Sequence, residues 1–263
     1  QLDKLEKNVA KYCGVNYCVA VSSGTAALHL SVLSLNFKKN FLALTSPITF
    51  AATPNSVIAC GGKIDCVDIN KETFNLDENK LEQYLRNKKN KKPKLIIPVN
   101  FGGQSPNMKQ IYKIAKKNNI KIIEDASQAM GGLYNNNKIG SCEYSDLTVF
   151  SLHPVKSITS GEGGLILTNN KNLYEKIKLL KLNGVKKTSK PSWYHDVKTF
   201  GLNYKISELN CALANSQLKK IDKFVNKRNS IAKFYEKNLD SNIYEYQKIL
   251  GKSSISARHL FII

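Results

Sequence analysis

The chain has 263 residues, 42% hydrophobic and 23% charged, with 15 Gly and 7 Pro. These proportions fit a folded domain with part of another and exclude a low-complexity or disordered chain. No apolar run reaches the roughly 18 residues that a spanning helix needs, and the charged, helix-like opening Gln1-Leu2-Asp3-Lys4-Leu5-Glu6-Lys7 is no signal peptide, so a cytoplasmic protein with no membrane partner is expected. The formal charge of +20 invites a nucleic-acid reading, but the excess is almost all Lys and is spread along the chain. Base readers favour the bidentate Arg fork, and the densest cluster, Asn87-Lys88-Lys89-Asn90-Lys91-Lys92, has no interleaved aromatics. A nucleic-acid partner is therefore not expected, although a positive surface suits an anionic small substrate. The six Cys form no C-x-x-C, the four His are scattered, and no zinc spacing occurs, so neither a metal site nor a disulfide framework is expected.

In chain order, Leu2, Leu5, Val9 and Tyr12 mark an amphipathic helix over 1–12. Tyr17 to Val21 reads as a short buried strand. The small-residue turn Ser22-Ser23-Gly24-Thr25-Ala26-Ala27-Leu28 then opens a helix to about Ser34. Strand, small polar turn and helix start together make an anion site, because free N–H groups and the helix dipole face the turn. Neither the P-loop nor the dinucleotide fingerprint is present. Phe41 to Thr45 is the next strand, and Ser46-Pro47-Ile48-Thr49-Phe50 is expected to start a helix, with Pro54 as a possible kink within it. Phe50 follows a strand's carboxyl end, where ligands bind in open α/β sheets and an aromatic can stack on a flat ring.

Strands follow at Ile64–Val67, Lys94–Val99 and Lys121–Ile123, with helices at Asp77–Leu85 and Met108–Asn118. The third of those strands ends in Glu124-Asp125-Ala126-Ser127-Gln128, an acid at a strand's carboxyl edge. An apolar run from Leu147 to Leu152 enters the loop Ser151-Leu152-His153-Pro154-Val155-Lys156, and Leu165-Ile166-Leu167 leaves it after Gly161-Glu162-Gly163-Gly164. A lone lysine on a loop between buried strands is a candidate Schiff-base lysine, since burial lowers its pKa and makes the amine nucleophilic. Tyr174–Leu182 is helical, Ile206–Val225 is one or two helices, and the pattern shifts near Arg228. The division expected is a large domain over 1–225 and the start of a small one over 226–263. No initiator Met is present, and His259 to Ile263 reads as a strand in mid-course, so a fragment with weak or absent turnover of its own is expected. The fold class is α/β: a mostly parallel central sheet with helices on both faces. An anion turn, a strand-edge acid and a loop lysine are together what pyridoxal phosphate needs: a phosphate holder, a pyridinium partner and an aldehyde-binding amine.

The segments Ser22–Leu28, Ser46–Asn55, Glu124–Gly131, Ser151–Gly164 and Gly201–Leu218 together resemble the DegT/DnrJ/EryC/StrS sugar aminotransferases, fold-type I enzymes dependent on pyridoxal 5'-phosphate. Thr45 to Thr53 and Pro98 to Gln104 look most like the branch that aminates a UDP-linked 4-keto-6-deoxy-N-acetylhexosamine on the way to pseudaminic acid. The resemblance implies roles. Lys156 matches the lysine that binds the cofactor covalently and then moves the proton, and Asp125 the partner of the pyridinium nitrogen. Gln128 lies by the ring, and Phe50 takes the ring-stacking position. Ser151, Thr25 and Ala26 match phosphate holders. Asn203 matches an asparagine that reaches the neighbouring subunit's phosphate, so a homodimer is implied. His153 is assigned to the substrate side. Glutamate is the implied donor and a nucleotide sugar the acceptor. Sugar dehydratases of the same fold carry histidine in place of the lysine, so Lys156 separates amino transfer from dehydration. A pyridoxal-phosphate-binding regulator without turnover is the other alternative.

Overall fold

The computed structural model describes residues 1–263 except 88, 90, 187–192 and 241, so Lys88 and Asn90 of the basic cluster lie outside the described residues. Seven strands form the central sheet: β1 (Tyr17–Val21), β2 (Leu42–Thr45), β3 (Lys63–Cys66), β4 (Leu95–Ile97), β5 (Lys121–Asp125), β8 (Leu147–Ser151) and β9 (Gly164–Thr168). Two short hairpins lie outside it, β6 (Leu133–Tyr134) with β7 (Asn137–Lys138), and β10 (Val185–Lys186) with β11 (Asp196–Val197). The sheet order is β1-β9-β8-β5-β4-β2-β3. From β3 to β8 every pairing is parallel; β9 runs antiparallel to both neighbours, β8 and β1.

Strand side chains alternate between two apolar layers, as the pleat requires. Ile96, Ile122, Leu165 and Leu167 face a core closed by α1 (Leu2–Cys13), α4 (Glu78–Arg86), α5 (Met108–Lys117), α7 (Glu208–Leu218) and α8 (Ile221–Asn238). Ile97, Ile123, Val149 and Ile166 face the other, closed by α2 (Gly24–Ser34), α3 (Ala52–Ala59) and α6 (Lys171–Leu180). Both faces of β2, β4 and β8 are covered, which is why they read as continuous apolar runs in the sequence, whereas the edge strand β3 is largely exposed. None of the described helices is long and apolar enough to cross a membrane.

Three local expectations are corrected. The stretch Ser46–Phe50 is no helix: Ser46 Oγ donates to the Ile48 carbonyl at 3.1 Å, the chain bends, and α3 starts only at Ala52. Pro54 is then the third helical residue, where no intrahelical N–H is required, and α3 runs unbroken. Residues 259–263 join no strand ladder. Their backbone is taken singly by loops, Leu260 N–H bonding Gly102 O at 3.2 Å and Ile262 O accepting from Gln247 N at 3.3 Å. The segment 206–225, expected as one or two helices, holds α7 and the start of α8, which runs on to Asn238.

Candidate active site

The parallel strands β2, β4, β5 and β8 all end on one edge, and the alternation in β5 sends Ile123 and Asp125 to the α2–α3 side. Asp125, the last residue of β5, is only 4% exposed. Its carboxylate accepts from Thr53 Oγ1 at 2.6 Å and from Ser127 N at 3.1 Å. Thr53 stands in the first turn of α3, which the bend at 46–51 places over the strand ends. A buried carboxylate is tolerable only with such donors.

Ser23 caps α2, its hydroxyl accepting from Ala26 N at 3.0 Å, and the first main-chain bond of that helix is Ala27 N to Ser23 O. Gly24 and Thr25 precede it, so their N–H groups have no intrahelical acceptor, the condition that makes a helix start an anion site. The glycine is needed here: a Cβ on Gly24 would lie 2.9 Å from Cβ of Ser151 and 3.1 Å from its hydroxyl. Gly164 is pressed against the Ser23 carbonyl in the same way. Ser151, at the end of β8, accepts from His153 N at 3.3 Å.

After β8 the chain doubles back through a loop held by its own hydroxyls. Leu152 O accepts from Thr159 Oγ1 and Ser160 N, both at 3.0 Å, and Ile158 is buried in the core. Lys156 projects from this loop, its N–H bonding His153 O at 3.0 Å. Its amine is half-buried and, among the described residues, has no hydrogen-bond or ion-pair partner. Burial lowers its pKa, and the Asp125 charge opposes that shift in part.

These groups line one cavity of about 340 Å³. Of the residues expected at the site, Thr25, Phe50, Asp125, Gln128, Ser151, His153 and Lys156 line it together. Gln128 is held by Gly102 N–H on its Oε1 at 2.8 Å, and Phe50 leaves 73% of its surface exposed at the mouth. Two expected residues do not line it. The Ala26 side chain is core and its N–H is taken by Ser23, while Asn203 is exposed elsewhere on this chain. Reading the sequence missed Thr53, Glu162 and His259. Glu162 stands 3.7 Å from His153 Nε2. His259 enters from the far end of the chain, its Nδ1 buried without a partner among the described residues. Burial, with the charges of Lys156 and Arg228, pushes its ring down to about 4. Thr53 had a local signal, a hydroxyl in the first turn of a helix near a strand end; His259 had none. Among the described residues no His/Cys/Asp/Glu group could hold a metal ion.

The residues fit pyridoxal phosphate: a glycine cradle against a serine, two helix-start amides and an amine without partners among the described residues, and a buried carboxylate face one space. Comparison with known proteins points the same way. The chain is 42% identical, over all of its length and 68% of the relative's, to a UDP-4-amino-4,6-dideoxy-N-acetyl-beta-L-altrosamine transaminase of Campylobacter jejuni. It matches the solved structure of Helicobacter pylori PseC, an aminotransferase involved in the biosynthesis of pseudoaminic acid, at TM-score 0.90 and 31% identity, covering 99% of this chain and 68% of that one. It also matches NtdA of Bacillus subtilis, solved with bound cofactor PMP, at TM-score 0.84 and 29% identity over 99% of this chain and 57% of that one. The family model for DegT/DnrJ/EryC1/StrS aminotransferases matches residues 1–263, and the chain belongs to that family.

Proposed function

We propose that the cavity binds pyridoxal phosphate and serves amino transfer from glutamate to the keto carbon of a UDP-linked 4-keto-6-deoxy-N-acetylhexosamine. The observation that carries this reading is the amine of Lys156, half-buried and without a partner among the described residues, in the same cavity as the buried Asp125 and the α2 start. The likeness to the Campylobacter and Helicobacter enzymes supports the acceptor.

When bound, pyridoxal phosphate supplies an aldehyde that takes an amine and a ring that draws electrons from the donor's α-carbon. The chain's own residues do the rest. Gly24 and Thr25 N–H groups, with the Ser151 hydroxyl, hold the phosphate. Asp125, fixed by Thr53 and Ser127, holds a proton on the ring nitrogen and so strengthens the electron sink. Phe50 and Gln128, both lining the cavity, would help to hold the ring. Lys156 would be the amine that the aldehyde takes, and its Nζ, which burial favours in the neutral form, would be the base that accepts the proton from the donor's α-carbon. His153 and Glu162 lie on the side where the sugar enters. Asn203, exposed on this chain, completes the phosphate site of a second copy, so the working form is a homodimer. Six free cysteines accord with a reducing compartment, the cytoplasm.

The test is direct. The purified chain with pyridoxal phosphate turns yellow, glutamate bleaches it, and borohydride fixes the cofactor on the peptide that contains Lys156. A protein that stays colourless overturns the reading. Among keto-sugar nucleotides, the UDP-linked N-acetylated 4-keto sugar is expected to restore the yellow band fastest.

A further inference from the structure

Asp125 has a neighbour the mechanism does not use. Glu124 points to the opposite face of the sheet, 6% exposed, with no cation paired to it among the described residues. A buried carboxylate of this kind is costly and needs a reason. Its Oε1 accepts from Asn100 Nδ2 at 2.9 Å and its Oε2 from Thr148 Oγ1 at 2.9 Å. Asn100 follows the end of β4 and Thr148 sits in β8, directly opposite Glu124 in the parallel register. The three side chains therefore form a row across three adjacent strands, beneath the edge that carries the cavity.

Each arm of the row leads to the site. Asn100 starts the loop 100–103, whose Gly102 N–H holds Gln128 and whose Gly103 O takes Ala257 N–H at 2.8 Å. A Cβ on Gly103 would lie 2.8 Å from the backbone nitrogens of Arg258 and His259, so this loop also sets the depth at which His259 enters. On the other arm, Thr148 is three residues before Ser151, and its hydroxyl is further held by Ser145 Oγ at 3.0 Å and Cys142 Sγ at 3.4 Å.

We propose that Glu124 is a positioning residue: its carboxylate, bonded to Asn100 on one side and Thr148 on the other, sets the ends of β4, β5 and β8 so that Gln128, Asp125, Ser151 and Lys156 face one ligand. This rests on the reading of the cavity as a pyridoxal-phosphate site. Burial pushes Glu124 up from the ordinary carboxylate range, with its two hydrogen bonds opposing and the Asp125 charge adding. A neutral or charged group keeps both arms, since the Thr148 hydroxyl can donate or accept.

Three variants test it, each titrated with pyridoxal phosphate and melted without it. Glu124→Leu strips acceptors from two buried donors, and weakens the apparent Kd for pyridoxal phosphate by about tenfold or more, with a shifted pH midpoint of the visible band. Glu124→Gln keeps both arms, because its amide accepts from Asn100 and donates to Thr148, and leaves the Kd within about 1.5-fold of the parent. Thr148→Val cuts one arm and weakens binding by about threefold, a smaller loss than Glu124→Leu. A folded Glu124→Leu protein with the parent's Kd and band overturns the proposal, even if its melting temperature falls. If that variant does not fold, Thr148→Val decides alone, and an unchanged Kd overturns it. A parent protein that forms no visible band overturns the cofactor reading and this inference with it.

Discussion

Lys181 and Lys156 are both withdrawn from water in this very basic chain, and they are buried for opposite ends. Lys181, 5% exposed, follows α6 and is locked: its Nζ reaches Glu6 Oε1 at 3.0 Å and Ala20 O at 3.2 Å, while the same Glu6 oxygen accepts from Ala20 N at 2.9 Å. It pins α1, β1 and the end of α6 together. Lys156 is less buried yet, among the described residues, has no partner for its amine, and its pKa is lowered. Burial alone therefore does not make an amine reactive. Burial without a fixed acceptor, beside a cavity large enough for a ligand, does.

The sharpest way to break this comparison is Lys156→Ala, which should cut turnover more than about a thousandfold and abolish borohydride fixation while leaving some cofactor binding; fixation at another lysine would show that the wrong amine was chosen. Next is Asp125→Ala, expected to lower activity by about a hundredfold or more and to lose the cofactor as well, read by kcat and by titration. Lys181→Met should do the reverse. It leaves Glu6 buried and unpaired, costs about 3 kcal/mol of stability by denaturant unfolding, and leaves cofactor capture per folded molecule unchanged. A finer test follows the band with pH. A lysine whose pKa is lowered reaches its neutral form earlier, so capture by Lys156 should be half-maximal below the ~10.4 of a free lysine, and Lys181→Met should not move that midpoint. The smallest effect concerns His259. Its ring is pushed down to about 4, whereas an unfolded histidine takes its proton near 6.5. In that window the unfolded chain binds more protons, so stability is lost as pH falls from about 6.5 towards 4. His259→Gln should make the fall in melting temperature over that window shallower by about 2 °C; an identical slope would contradict the assignment.

Much of the fold was legible because the inner strands are buried on both faces, and turn chemistry such as Ser22 to Ala26 sits directly on a strand end. Asp125, Ser151 and Lys156 were readable for the same reason: each lies within a few residues of a strand end. What escaped depends on contacts that no local pattern encodes. His259 arrives through Gly103, with which it shares no sequence neighbourhood. The helix expected from Ser46 fails because a serine and a proline after a strand serve a bend as readily as a cap. The tail from His259 to Ile263 has strand composition but meets loops, not a strand edge. Glu124 directly precedes Asp125 in the sequence; only the strand's pleat and the register of β5 with β8 show that the two acids serve opposite faces.

The insertion of β9 between β1 and β8 has a consequence for birth on the ribosome. β1 emerges well before β9, yet among the described residues β9 is its one strand neighbour in the sheet, paired from Tyr17↔Thr168 to Val21↔Gly164. Until the chain is made as far as Thr168, β1 has no ladder to join, and the turn after it lacks Gly164 packed against Ser23. Such non-local pairing is slow to close. The phosphate end of the cavity is thus synthesised well before the strand that completes it, so a nascent chain stopped before β9 has the sequence of the anion turn but not its geometry.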